Sequence, residues 1–261
     1  MALKTQKRDI PPTPLGHNLG LLFKNDQLLL ILISGILGAA RTVYMYTGSL
    51  YFAKYVLGNE AVYSILTILV VPGGAIATVL IPWFTKHFGK KNTYIYVHVL
   101  GAVVMFAMYF IGRNGGYNNS SNLLWLAIGF VLLGLPQGIN NVITYAMIGD
   151  TVEYLEWKTG ERAEGICFSM QTFINKISMA VGAFIGVMAY GISGISPSDP
   201  YNTVTPEGSE KLWAVLILSG AISMVATIIP MLFYKVTESK QREYVKEIEE
   251  RKAAKAAKTA E

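Results

Sequence analysis

Apolar positions fall into six long runs separated by short polar stretches: Leu28 to Phe52, Val62 to Phe84, Thr93 to Gly112, Leu123 to Ile148, Ile166 to Ile192 and Leu212 to Tyr234. Each is long enough to cross a hydrocarbon core of about 30 Å as a helix. The pattern predicts an all-α integral membrane protein with a cytoplasmic arm over residues 1–26, a six-helix transmembrane domain over 27–236 and a charged cytoplasmic tail over 237–261. Composition agrees: 52% of residues are hydrophobic and only 15% charged, which excludes an ordinary soluble domain.

Positive charge orients the runs. Seventeen Lys and Arg lie in the arm, the second-to-third and fourth-to-fifth connections and the tail, whereas Lys54, Arg113 and Lys211 alone flank the other side. Both termini are expected on the cytoplasmic side of the plasma membrane. The net charge of +5 is this topological bias plus the tail, so it gives no reason to expect nucleic acid as a partner. The arm is polar, with Pro11, Pro12 and Pro14, and lacks the early apolar core of a cleavable signal; it is expected to be extended there and briefly helical at LGHNLGLLF. The single cysteine, Cys167, reads as a small apolar filler.

Two charges interrupt the runs. Lys176 lies about 16 Å into the fifth helix, near mid-membrane, where an ammonium facing lipid costs about 2.5–3.5 kcal/mol. It is either a structural ion-pair lysine or one that faces a polar cavity; it is too deep to snorkel. Thr172 sits one turn away and Gln171 beside it, which suits the cavity reading, and Gly182 and Gly186 are spaced for close approach to another helix. The opposite face, including Ile174, is expected to look at lipid. In the first helix Arg41 is also mid-span, with Ser34, Gly38, Tyr44, Met45 and Gly48 on its face and Tyr51 and Tyr55 extending the stripe. An inward-facing arginine competes there with an outer-interface one.

Other positions are less specific. Pro72-Gly73-Gly74 and Pro82 in the second helix and Pro136 in the fourth are expected to kink or loosen their helices. Gln137, Asn141 and Thr144 recur at i, i+4 and i+7, as interhelical glue or as cavity lining. His17, His87 and His98 have no partner at metal-ligand spacing, so no metal site is expected. Asn118 and Asn119 open N-x-S sequons on the external side, where no glycan is expected. The spans offer no nucleophile, metal cluster or acid–base pair, which argues against an enzyme.

The stretch GDTVEYLEWKTGERAEG followed by FSMQTFINK resembles the segment joining the tenth and eleventh helices of the glycoside-pentoside-hexuronide:cation symporters, the melibiose permease group of the major facilitator superfamily. The resemblance implies that the six helices are the C-terminal half of a major facilitator fold, and that the complete transporter carries a sugar or glycoside by alternating access. It implies substrate contact at Lys176, Thr172 and Gln171. It also implies a role in closing the cytoplasmic side for Asp150, Glu153, Glu156, Arg162 and Glu164, on what is read as a charged loop. Arg41, Tyr44, Gln137 and Asn141 join the candidate substrate site on the physical reading alone. The family's cation-site carboxylates sit on its N-terminal six helices, and no span here has an acid in its interior. The coupling sodium ion or proton is therefore expected to bind outside this chain, on a matching N-terminal half; no other cofactor is implied. The competing class is a non-transporting membrane protein, a truncated product or an assembly or sensory subunit, that keeps the half-fold.

Overall fold

The computed structural model describes residues 15–45, 47–115, 120–195 and 204–260. The start of the arm, the two sequons and most of the fifth-to-sixth connection lie outside the described residues.

The described residues are almost all helical, and none of them forms a strand. Helix α1 (Leu15–Lys24) is the short helix expected in the arm, and it meets α2 (Asp26–Leu37) at an 88° bend. Asn25 makes that corner: its side chain accepts a hydrogen bond from the Leu28 amide at 3.1 Å and donates to the Thr151 carbonyl at 2.9 Å. An orphan amide at the helix start is thereby satisfied, and the corner is tied to the bundle.

The first apolar run, expected as one helix, is broken. After α2 come a 3-10 segment (Ala39–Met45), a short α3 (Thr47–Tyr51) and a π-helical turn (Phe52–Val56). Gly38 caps α2, and the Arg41 side chain folds back to donate to the Gly38 carbonyl at 2.7 Å. A carbonyl released by the end of a membrane helix must find a donor inside the protein. Arg41 supplies it.

Helix α4 (Ala61–Gly115) has 55 residues, about 82 Å if straight and far more than one crossing needs. Gly89, at φ 76° and ψ 163°, is the non-helical residue inside it and divides it into limbs 61–88 and 90–115. Packing on α5 (Ser120–Thr159) shows that the limbs are antiparallel. Gly73 and Gly138 contact Gly134 and Gly74 in rising order on both helices, whereas Gly129 meets Met108 and Gly101 lies near Pro136 in opposite order. The second and third apolar runs are thus one hairpin. Pro72, Pro82 and Pro136, expected to kink, lie within helices that continue through them.

Helices α6 (Glu164–Ile192) and α7 (Pro206–Leu232) complete the membrane bundle. α7 starts at Thr205, whose hydroxyl accepts from the Gly208 amide at 3.0 Å, with Pro206 at the first helical position. The charged stretch read as a loop is helical as far as Thr159, so α5 projects beyond the membrane run. The tail forms α8 (Glu238–Ala260), which packs on that projection.

The buried apolar side chains form two clusters stacked along the bundle. One, toward the charged base, includes Leu28, Ile31, Val97, Ile148, Ile174 and Met231; the other includes Val43, Phe52, Met105, Leu133, Trp213 and Met224. Between them lies a polar layer. The Ser34 hydroxyl is 2.9 Å from Thr227 Oγ1 and 3.0 Å from the Tyr94 hydroxyl, and it donates to the Thr227 carbonyl at 2.7 Å. Thr227 Oγ1 donates to the Ser34 carbonyl at 2.6 Å, and Ser223 donates to the Leu37 carbonyl at 2.6 Å. These bonds stitch α2 to α7 and the second limb of α4 at the level where the first run breaks.

Candidate functional site

On α6 the side chains sort sharply. Cys167, Gln171, Ile174, Ser178, Gly182, Gly186 and Ala189 are buried, in a stripe that follows the 3.6-residue repeat. Ile174, expected to face lipid, is buried because Gly35 on α2 leaves it room: a Cβ there would lie 2.5 Å from Ile174 Cγ2. Thr172, Asn175, Lys176 and Met179 are exposed. Lys176 has no ion pair among the described residues.

The seven candidate substrate residues do not converge on one point. Thr172 and Lys176 share the exposed face of α6. Gln171, 3% exposed, turns inward and donates to Asn175 Oδ1 at 3.2 Å. Gln137 and Asn141 line an open pocket of about 510 Å³ between the first limb of α4 and α5, together with Thr67, Gly74 and Thr78. Tyr44 is buried, its ring 5.7 Å from that of Phe130. Arg41 is buried in the polar layer, near the buried His98, whose Nδ1 donates to the Tyr94 carbonyl at 2.7 Å. Arg41 is therefore inward-facing, but it is directed into the interior of the bundle rather than onto an exposed face.

The five candidate gate residues do come together, at the charged base. The buried Asp150 carboxylate receives Lys90 Nζ at 2.6 and 2.7 Å, bringing the turn of the α4 hairpin onto α5. Burial pushes the Asp150 carboxyl up, and the Lys90 ammonium opposes that shift. One turn on, Glu153 accepts from Gln241 of α8. Glu156 accepts from Arg162 at 2.9 Å and Lys252 of α8 at 2.7 Å; burial alone would raise its carboxyl, but these two cations hold it below its ordinary value. Arg162 also reaches Glu164 at 2.6 Å. The Lys90 amide donates to Glu238 at 2.6 Å, and Gly89 is glycine here by need: its φ is positive, and a Cβ would meet Glu238 Oε2 at 2.8 Å.

Sequence reasoning missed α8 as a partner in this base. Trp157 and Tyr244 pack with ring centroids 4.6 Å apart, Trp157 Nε1 donates to Glu247 at 2.7 Å, and Arg251 donates to the Trp157 carbonyl at 2.8 Å. The signal was present: Tyr244 and Ile248, at i and i+4 in an otherwise charged tail, are both 8% exposed.

Comparison with known proteins agrees with this architecture. The family described as MFS/sugar transport protein matches residues 2–238. The chain is 30% identical to a putative sulfoquinovose importer of Escherichia coli strain K12, over 93% of this chain and 51% of that protein. It is 26% identical to a glucuronide carrier protein homolog of the same strain (94% and 52%), and 27% identical to the raffinose carrier protein of Pediococcus pentosaceus (87% and 34%). The chain spans about half the length of the curated relatives it matches, or less. The resemblance carried by GDTVEYLEWKTGERAEG and FSMQTFINK is thus matched over nearly the whole chain, and this protein belongs to the MFS/sugar transport family, in the glycoside-pentoside-hexuronide group of the major facilitator superfamily.

Proposed function

We propose that this chain is the C-terminal half of a cation-coupled sugar symporter, acting with a matching N-terminal half in the plasma membrane, both termini cytoplasmic. The observation that carries the reading is the exposed mid-span face of α6, where Lys176 and Thr172 stand without a neighbour among the described residues to enclose them. A mid-membrane ammonium belongs against protein or water. A second half packed on that face would enclose it, and a sugar hydroxyl or anionic group bound between the halves would meet it there. The relatives' names, glucuronide, raffinose and sulfoquinovose carriers, support a glycoside or an acidic sugar as substrate.

Cation coupling is assigned to the partner half. The spans described here hold serines, threonines, amides and two cations but no interior carboxylate, and this set repels a sodium ion or proton more than it collects one. The base around Asp150 and Glu156 is proposed as the cytoplasmic closure.

The test is uptake of radiolabelled raffinose and methyl β-D-glucuronide into vesicles, with and without sodium and proton gradients. Gradient-driven accumulation is expected from this chain paired with a six-helix N-terminal half of a relative, and not from the chain alone. Lys176→Ala should lower uptake by the pair at least about tenfold with membrane insertion unchanged, since a charge-assisted hydrogen bond contributes roughly 1.5–3 kcal/mol. Accumulation by the chain alone, or undiminished uptake by the Lys176 variant, overturns the proposal.

A further inference from the structure

The end of the bundle remote from the charged base carries a second constellation. The π-helical turn that ends the broken first run follows directly on α3 and sets Tyr51 beside Tyr55, with ring centroids 6.5 Å apart. π-helical turns of this kind often mark functional sites. Tyr190 comes to them from α6, its ring 4.6 Å from Tyr51 and 5.7 Å from Tyr55. Buried Phe52, Ala189 and Trp213 form the floor, while the three tyrosines stay half-buried.

Two features separate this cluster from an ordinary interfacial belt of aromatic residues. The first is register. Tyr190 follows Thr172 by 18 residues, five full helical turns at about 100° per residue, so the two share a face, and Lys176 lies within about 40° of it. The exposed face that bears the mid-span ammonium therefore continues to the tyrosines, about 21 Å along the axis from Lys176. The second is chemistry. Belt tyrosines serve the lipid headgroups, whereas these rings turn toward one another. Phenol faces beside phenol hydroxyls match a pyranose, whose axial C–H edges stack on an aromatic ring while its equatorial hydroxyls seek donors and acceptors.

We propose that Tyr51, Tyr55 and Tyr190 form a carbohydrate-binding vestibule that takes one pyranose ring by stacking, an entry subsite distinct from the face around Lys176. The inference rests on the sugar-carrier reading. Its test is saturation-transfer-difference NMR on the purified full chain in lipid nanodiscs, with methyl β-D-glucopyranoside as probe and irradiation of the aromatic protons. Saturation should reach the ring C–H protons of the probe. The apparent affinity should weaken about fivefold in Tyr190→Leu and less than about twofold in Tyr190→Phe, which keeps the ring face. Tyr51→Leu should match Tyr190→Leu and decides the case if the latter does not fold, as judged by circular dichroism. Lys176→Ala should retain the signal even as it lowers uptake in the paired vesicles. Absence of saturation transfer to the probe, equal losses in Tyr190→Leu and Tyr190→Phe, or a signal lost in Lys176→Ala but kept in both leucine variants would each overturn the vestibule. Sugar uptake by the paired vesicles stands or falls separately, so failure of the carrier reading is told apart from failure of the subsite.

Discussion

Lys90 and Asp150 meet at 2.6 Å where the turn of the α4 hairpin touches the end of α5. The pair is largely buried, with 9% of the carboxylate side chain and 25% of the lysine exposed. Removing the cation alone leaves a buried carboxylate that burial already disfavours as an anion. Lys90→Met should destabilise the bundle by about 3 kcal/mol, and Lys90→Met with Asp150→Asn by less than the single variant. Thermal unfolding in detergent, followed by circular dichroism, checks the ordering; a double variant weaker than Lys90→Met contradicts it.

At the α1–α2 corner, burial raises the Asp26 carboxyl, but hydrogen bonds from Lys158, Gln27 and Tyr154 outweigh it and hold the group at about 2, against 3.8 ordinarily. A depressed acid contributes stability that is present above pH 3.8 and lost as pH falls toward 2. The pair with Lys158 is half-exposed, so solvent screening keeps the contribution small. The protection of the Leu28 and Leu29 amides, relative to their intrinsic exchange, should fall as pH drops from 3.8 toward 2 in the native chain, and in Asp26→Asn should be low already above pH 3.8.

In the polar layer, Thr227→Val removes three hydrogen-bond contacts, to Ser34 and to the Tyr94 hydroxyl. It should cost about 1–2 kcal/mol, above the average of about 0.6 for a single polar pair between membrane helices. Arg41 differs, since its guanidinium is buried with Nε unpartnered. Arg41→Met should leave the thermal midpoint unchanged or raised, because replacing a buried charge with an apolar side chain of similar volume relieves desolvation. A large fall would show that the bond to the Gly38 carbonyl matters more than the buried charge.

The clasp of α8 on α5 predicts that Tyr244→Ala lowers stability by about 2 kcal/mol, through lost contact with Trp157 and Tyr154. Trp157 fluorescence should shift to the red as its ring gains water. A spectrum identical to that of the native chain would mean that the helix detaches in solution.

Much of this was legible in the sequence because lipid permits few alternatives: an apolar run of membrane length must be helical, and the runs at Ile166 and Leu212 are. The charged set from Asp150 to Glu164 was legible by resemblance. The broken first run was not, because Gly38, Ala39 and Ala40 read equally well as small helix-packing residues; only the return of Arg41 to its own chain reveals the break. Nor was the inward turn of Gln171 and Ile174, which depends on the space that Gly35 leaves on another helix. The tail's partner was hidden for the same reason, since a charged helix does not state which surface it will meet.

The glycines between the first limb of α4 and α5 have a mechanical meaning. A Cβ on Gly73 or Gly134 would strike the backbone of the other helix, at Val131 and Val70 respectively, so the two main chains touch with no side chains between them. Side chains that interdigitate can slide past one another by exchanging rotamers, whereas backbone against backbone offers no such bearing. In the alternating access proposed above, these two helices would travel as a single plank, and the bending would fall to the first run, where the helix is already interrupted.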